Sequence, residues 1–266
     1  MNTFFGLEIG KRAILTHQSA LNTTGHNISN ASTDGYSRQV PDVVATMPWE
    51  MPSLHTTYGA GQVGTGVDVA SINRVRDEFI DAQIRNENSS NSYWNSMQTT
   101  FDQVETILNE PSDDGLREVL DQFWQGWQDL SKNPESESAR SVVAERGSAV
   151  AEAFNNTYQQ LMTLRNDLNS EIKVKADDVN NDAVQIASLN KQIMAITAIG
   201  KQANDLCDKR DLLIDDLSKL ADVTVHNNSN GTISLQLGDR MLVDGIYYTQ
   251  MTTQTDENGM NMLVWK

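Results

Sequence analysis

The amino-acid sequence predicts a mainly α protein with a β-rich C-terminal part: an N-terminal assembly helix, a long antiparallel helical bundle and the start of a β domain. Three observations carry that expectation. All five prolines lie at or before Pro134, which leaves 132 residues, 135 to 266, without one. Up to Leu220 the apolar residues recur at three-, four- and seven-residue steps, the spacing of helices with one apolar side. From Val223 the period changes to two, with Asn-Gly, Gly-Asp and Asp-Gly pairs marking tight turns.

The first element is a helix with a narrow stripe. Leu7, Ile14, Leu21 and Ile28 fall seven apart, and Gly6, Ala13 and Ala20 each stand one residue earlier. Such a ladder needs a partner helix. Periodicity alone leaves two partners open, a neighbouring chain or the helix's own domain. The amide- and hydroxyl-rich stretch that follows favours neighbours, because small polar residues suit dense lateral packing. In it Asn27 and Asn30 lead into a turn through Asp34, Gly35 and Tyr36.

The chain divides into four parts on this reading: residues 1–40, the heptad helix and its turn; 41–73, an extended Pro/Gly loop; 74–221, the bundle; and 222–266, a β-rich domain that is incomplete. The loop holds Pro41, Pro48, Pro52, Gly59, Gly61, Gly64 and Gly66, and a loop of that length is usually functional or ordered by a partner. Within the bundle, one helix runs from Arg74 to about Leu108 and a second from Leu116 to Leu130, broken by residues 110–115. A third of about sixty residues runs from Ser136 to about Ile199, started by Asn133 and Pro134 as cap and first helical residue. A short helix, Asn204 to Leu220, places Leu206, Leu213, Leu217 and Leu220 on one side. Trp94, Trp124 and Trp127 read as bundle core.

Composition excludes several classes of function. A formal charge of −16 and a pI near 4.5 give no reason to approach nucleic acid or an anionic membrane, so no nucleic-acid partner and no membrane insertion are expected. The single cysteine, Cys207, excludes an intramolecular disulfide and any multi-cysteine zinc site. The N-terminus lacks the apolar block and cleavage site of a signal peptide. If the chain is exported, it uses no cleaved signal.

No motif points to catalysis, and no catalytic, cofactor-binding or metal site is assigned. Gly59, Gly61 and Gly64 match GxGxxG, but no strand precedes them and no helix opens directly after. His17, His26, His55 and His226 show no metal-ligand spacing. Asp208 stands beside Cys207 and opposes thiolate formation, so the cysteine reads as a small helix residue. Asp208, Arg210, Asp211 and Asp215 read as surface pairs or as ties between neighbouring helices. An enzyme carried on a helical stalk lacks any convergent nucleophile, base or metal set, and a cytoplasmic helical adaptor rod is the rival from another class.

The run Ala20-Leu21, then Asn27-Ile28-Ser29-Asn30-Ala31, then Gly35-Tyr36-Ser37-Arg38, resembles the N-terminal signature of bacterial flagellar rod, hook and hook-associated proteins. Within that group TTGHNISNAS with GYSRQ, GTGVDVASINRVRDEF (64–79), FWQGWQDLSKNPES (123–136) and ANDLCDKRDLLIDDLSKL (203–220) are similar to the hook-associated protein 1 family of hook–filament junction proteins. The turn departs from the family where Asp34 stands in place of a frequent proline, and Asp-Gly suits a turn equally well. Family members are longer and end in a second amphipathic helix that pairs with the first, so the chain reads as an N-terminal portion.

The resemblance implies a structural component of the flagellum, exported unfolded by the type III apparatus and secreted to the extracellular flagellum without a cleaved signal peptide. Its partners would be other copies of itself in a ring, the hook protein, the next hook-associated protein and the export machinery, with no cofactor. Leu7, Ile14, Leu21 and Ile28 would form the buried seam. Gly6, Ala13 and Ala20 would permit close approach, and Asn27, Asn30, Gly35 and Tyr36 would fix the exit turn. Another hook or rod component would share the N-terminal signature, but the long bundle after residue 74 argues against it.

Overall fold

The computed structural model describes residues 4–49, 63–109 and 115–266. Gly59, Gly61, His55 and Pro52 lie outside the described residues, as does most of the break at 110–115. The protein is mainly α with small antiparallel strand pairs and a β-rich C-terminal part. Five helices are present among the described residues: α1 (Phe5–Ser29), α2 (Glu78–Leu108), α3 (Leu116–Lys132), α4 (Glu137–Thr197) and α5 (Asn204–Leu220). Strands β1 (Gln39–Ala45) and β2 (Val67–Arg74) separate α1 from α2, and β3 (Val223–Asn227), β4 (Ile233–Leu237), β5 (Arg240–Asp244), β6 (Tyr247–Tyr248), β7 (Met251–Thr255) and β8 (Asn261–Trp265) follow α5.

Several boundaries differ from the sequence expectation for local reasons. The two ends of the Pro/Gly loop pair as antiparallel strands, Gln39 opposite Arg74 and Ala45 opposite Val67. Arg74 therefore closes β2 rather than opening a helix. Helix α2 starts at Glu78, where the Asp77 carboxylate accepts the Phe79 N–H at 2.9 Å and caps the first turn. Helix α4 starts three residues after the expected Pro134, and the Ser136 hydroxyl accepts the Ala139 N–H at 3.2 Å.

The structure groups into two compact units, Met1–Asn88 with Asn180–Gln250 and Ser89–Val179 with Met251–Lys266. In the first, β3 to β6 form an antiparallel meander in sequence order. Its inner residues Val223, Ile233, Leu235, Leu242 and Val243 are buried together with Ala183, Ile186 and Ile193 of α4 and Ile214 and Leu217 of α5. Asn190 of α4 is fully buried in this core and is completely used. Its Nδ2 donates to the carbonyls of Ile233 and Gly245 at 2.8 and 2.6 Å, and its Oδ1 accepts the Ile233 N–H and an Arg210 N–H at 3.2 and 3.0 Å. A buried amide so satisfied fixes which turn of α4 faces the sheet.

In the second unit, β7 pairs with β8 in the register Met251 to Trp265. Asn169 of α4 holds this hairpin, donating to the Gly259 carbonyl at 2.9 Å and accepting the Asn261 N–H at 2.6 Å. Gly126 of α3 lies where an added Cβ would meet Val143 of α4 at 3.5 Å. The three tryptophans expected in the core are not there: Trp94 and Trp124 are about two-thirds exposed and Trp127 is half exposed. Apolar spacing marks a face that wants covering, and it is silent on what covers it.

Candidate assembly segment and its anchorage

Helix α1 has two faces with opposite chemistry. One is formed by Ile9, Arg12, Thr16, Ala20, Thr23 and Asn27, all partly or fully buried. The Thr16 hydroxyl donates to the Val67 carbonyl at 3.2 Å, and an Arg12 N–H reaches the Thr65 carbonyl at 3.4 Å. This face lies on the β1–β2 pair through small and polar groups. The other face carries Leu7, Ile14, Leu21 and Ile28, each between 69% and 72% exposed. At 3.6 residues per turn the two stripes stand roughly 150° apart around the helix.

The small residues of the predicted interface divide between these faces. Gly6 is exposed and nothing lies within 4 Å of a Cβ placed on it, whereas Ala13 and Ala20 are half-buried toward the strand pair.

The exit from α1 is built inside the chain. The Asn27 side chain acts as an extra strand for Gln39: its Nδ2 donates to the Gln39 carbonyl and its Oδ1 accepts the Gln39 N–H, both at 2.8 Å. The Tyr36 hydroxyl donates to the same Oδ1 at 2.7 Å. Asn30 caps the helix end, donating from Nδ2 to the His26 carbonyl at 3.0 Å. Gly35 sits at φ +75°, and a Cβ there would come within 3.0 Å of Leu212 Cβ on α5. Both the backbone angle and the space require glycine at that turn.

The first turns of α5 are the seat on which this exit rests. Asp208 accepts the Ser37 N–H at 3.1 Å, Asp205 accepts from the Gln39 amide at 2.8 Å, and Asn204 donates to the Ile72 carbonyl at 2.7 Å. Beside them runs an ion network. Arg74 of β2 contacts Asp208 and Asp211 at 2.9 and 2.6 Å, Arg76 contacts Asp81 and Asp215 at 2.6 and 3.4 Å, and Arg85 of α2 contacts Asp215 at 2.7 Å. Burial opposes the charge on Arg74, but Asp211 and Asp208 outweigh it and hold the guanidinium above its ordinary pKa. Asp208, Asp211 and Asp215 thus tie α5 to β2 and to the start of α2.

Sequence reasoning found the aspartates but not Arg74, Arg76 or Arg85 as their partners, nor Asn190 as the partner of Arg210. The signal lay in the quoted segments themselves: residues 35–39, 70–79 and 203–212, far apart in sequence, meet at this seat. Cys207, half-buried beside it, has its thiol pKa pushed up, chiefly by burial. His26 lies against Asp205 at 3.4 Å and edge-on to the Tyr36 ring. Among the described residues no His, Cys, Asp and Glu cluster is arranged to hold a metal ion, and no helix is long and apolar enough to cross a membrane.

A family model described as the flagellar hook-associated protein FlgK helical domain matches residues 101–265. The chain belongs to this FlgK family. It is 42% identical over 248 residues to flagellar hook-associated protein 1 of Bacillus subtilis, covering 90% of this chain and 49% of that protein. It is 32% identical over 225 residues to the Escherichia coli protein of the same name, covering 84% and 40%. Among solved structures it is similar to the flagellar hook junction protein FlgK from Burkholderia pseudomallei, with a TM-score of 0.61 and 28% identity over 70% of this chain and 33% of that one. The chain spans about half the length or less of the curated relatives it matches.

Proposed function

We propose that the chain serves as a structural, non-catalytic component of the bacterial flagellum that joins hook to filament, assembling through the outer face of α1. The observation that carries this is the orientation of the helix. Its small, polar face is already committed to β1–β2, and its four heptad residues remain about 70% exposed. Covering each of them against a neighbour would contribute about 1–2 kcal/mol. Coiled-coil-like packing with equivalent helices in a ring of identical chains uses that stripe, with Gly6 allowing close approach and Asn27, Asn30, Gly35 and Tyr36 setting the exit angle.

The further partners are the hook protein, the next hook-associated protein and the type III export machinery. The location is the extracellular flagellum. The names of the relatives support a place beside the hook, and the other partners rest on the family resemblance.

Ile14→Asp and Leu21→Asp, each introduced into the flagellated cell, test the proposal. The purified variants should melt within about 2 °C of the parent, because exposed substitutions change stability by roughly 0.5 kcal/mol or less. Incorporation at the hook tip, read by antibody on sheared hooks, should be lost. A matching loss of melting temperature would show that the stripe is covered within its own chain and would overturn the proposal.

A further inference from the structure

We propose that a cavity lined by four arginines, beside α5, binds a small oxyanion bearing a phosphate or carboxylate group. The cavity, about 530 Å³, lies within one compact unit where the end of β2, the start of α2, α5 and β3 meet. Arg74, Arg76, Arg85 and Arg210 all line it. Three of these guanidinium groups meet carboxylates: Arg74 meets Asp208 and Asp211, Arg76 meets Asp81, and Arg85 shares Asp215 with Arg76.

Among the described residues Arg210 has no carboxylate partner, and Arg85 is only partly used. Arg85 is 8% exposed and spends its Nε on Asp215, while its Nη2 is buried without a hydrogen-bond partner. Arg210 is 5% exposed and donates only to neutral oxygens, Asn190 Oδ1 at 3.0 Å and the Gly231 carbonyl at 2.9 Å. Its Nε is buried and unpaired, and among the described residues no carboxylate stands within ion-pair distance of it.

A guanidinium does not shed its proton in a protein, so its charge must be met by an anion or borne at a cost. Burial pushes the Arg210 pKa down; Cys207 and Asp211 oppose that, and Arg74 and Arg85 add to it. Of the three acids on the lining, Asp81 and Asp211 are held by Arg76 and Arg74, and Glu78 is exposed to solvent and forms no ion pair with Arg85 or Arg210. A cation is disfavoured by four guanidinium groups. An oxyanion matches the planar fork of N–H donors that arginine presents. It would take up the spare donors of Arg85 and Arg210 after small side-chain shifts and separate their like charges.

The test uses the full chain in phosphate, or in acetate, against chloride at constant ionic strength, with two readouts. One is melting temperature; the other is the alkylation rate of Cys207, which lines the same cavity. The expected result is a saturable rise of about 2–4 °C with at least one of the two anions. Alkylation of Cys207 should slow several-fold over the same concentration range. Ala82→Trp, at an exposed lining position, fills the cavity without removing an arginine and should abolish both effects. Phosphate also stabilises proteins non-specifically by exclusion from their surface, and that effect does not saturate. A rise linear in concentration, a rise retained in Ala82→Trp, or an unchanged alkylation rate would each overturn the proposal.

Discussion

Helices α1 and α5 both belong to the same compact unit and both bury polar groups, but only α5 also buries large apolar side chains. In α1 the fully buried residues are Thr16 and Thr23, and the apolar ladder faces out. In α5 the buried residues include Ile214 and Leu217, with Arg210 on the same face, and Asp208 and Asp211 turned toward β2. A helix that buries its apolar side is held by its own fold. One that is fastened by threonine and asparagine to a strand pair while displaying leucine and isoleucine is held in place for something else. The difference lies in which residues the strands meet, because the Thr16 hydroxyl and the Asn27 amide bond strand backbone groups that leucine could not.

The sharpest way to break this comparison is to remove a charge from each helix environment. Arg74 bridges Asp208 and Asp211 with less than a fifth of its side chain exposed. Arg74→Ala leaves buried Asp208 without an ion pair and Asp211 with only Arg76 at 3.7 Å, and is expected to cost about 3–5 kcal/mol in urea unfolding. Lys11 on α1 faces Glu8 at 3.9 Å with most of its side chain in water, and Lys11→Ala should move the same midpoint by no more than about 0.5 kcal/mol. Comparable costs for the two would mean that the seat around α5 is not what fixes the α1 exit.

Glycine gives a second, smaller contrast. Gly35→Ala forces a side chain into φ +75° and against Leu212, with an expected loss of about 1–3 kcal/mol. Gly6 is helical with open space around it, so Gly6→Ala should instead gain up to about 1 kcal/mol in the isolated chain. Thermal unfolding of the two variants side by side reads both signs in one experiment.

The parts of this arrangement that were legible in the sequence are those encoded locally. The ladder at Leu7, Ile14, Leu21 and Ile28 is visible as a period, the Asp34-Gly35 pair marks the turn, and the change of period at Val223 marks the first strand of the meander. What was not legible depends on distance. Arg74 meets Asp211 across 137 positions, and Asn190 meets Ile233 across 43. Nothing in the local pattern of either says which polar residue will be buried. The tryptophans show the same limit from the other side. Trp94, Trp124 and Trp127 sit at helical apolar positions, yet they remain exposed, because period reports a face and not its cover.

That limit sets the most discriminating test. Replacing Leu7, Ile14, Leu21 and Ile28 together with serine removes the ladder while leaving Thr16, Thr23 and Asn27 on the strand pair untouched. If the ladder is free in the isolated chain, there is little buried area to lose. The remaining cost is the modest helix propensity of serine against leucine, a few tenths of a kcal/mol per site. The melting temperature should fall by only a few degrees, less than for Arg74→Ala alone. Self-association in sedimentation should fall as well, because a contiguous apolar stripe is the feature most prone to stick to itself. A collapse of melting as large as that of Arg74→Ala would place α1 in the same class as α5, a helix that its own chain already covers.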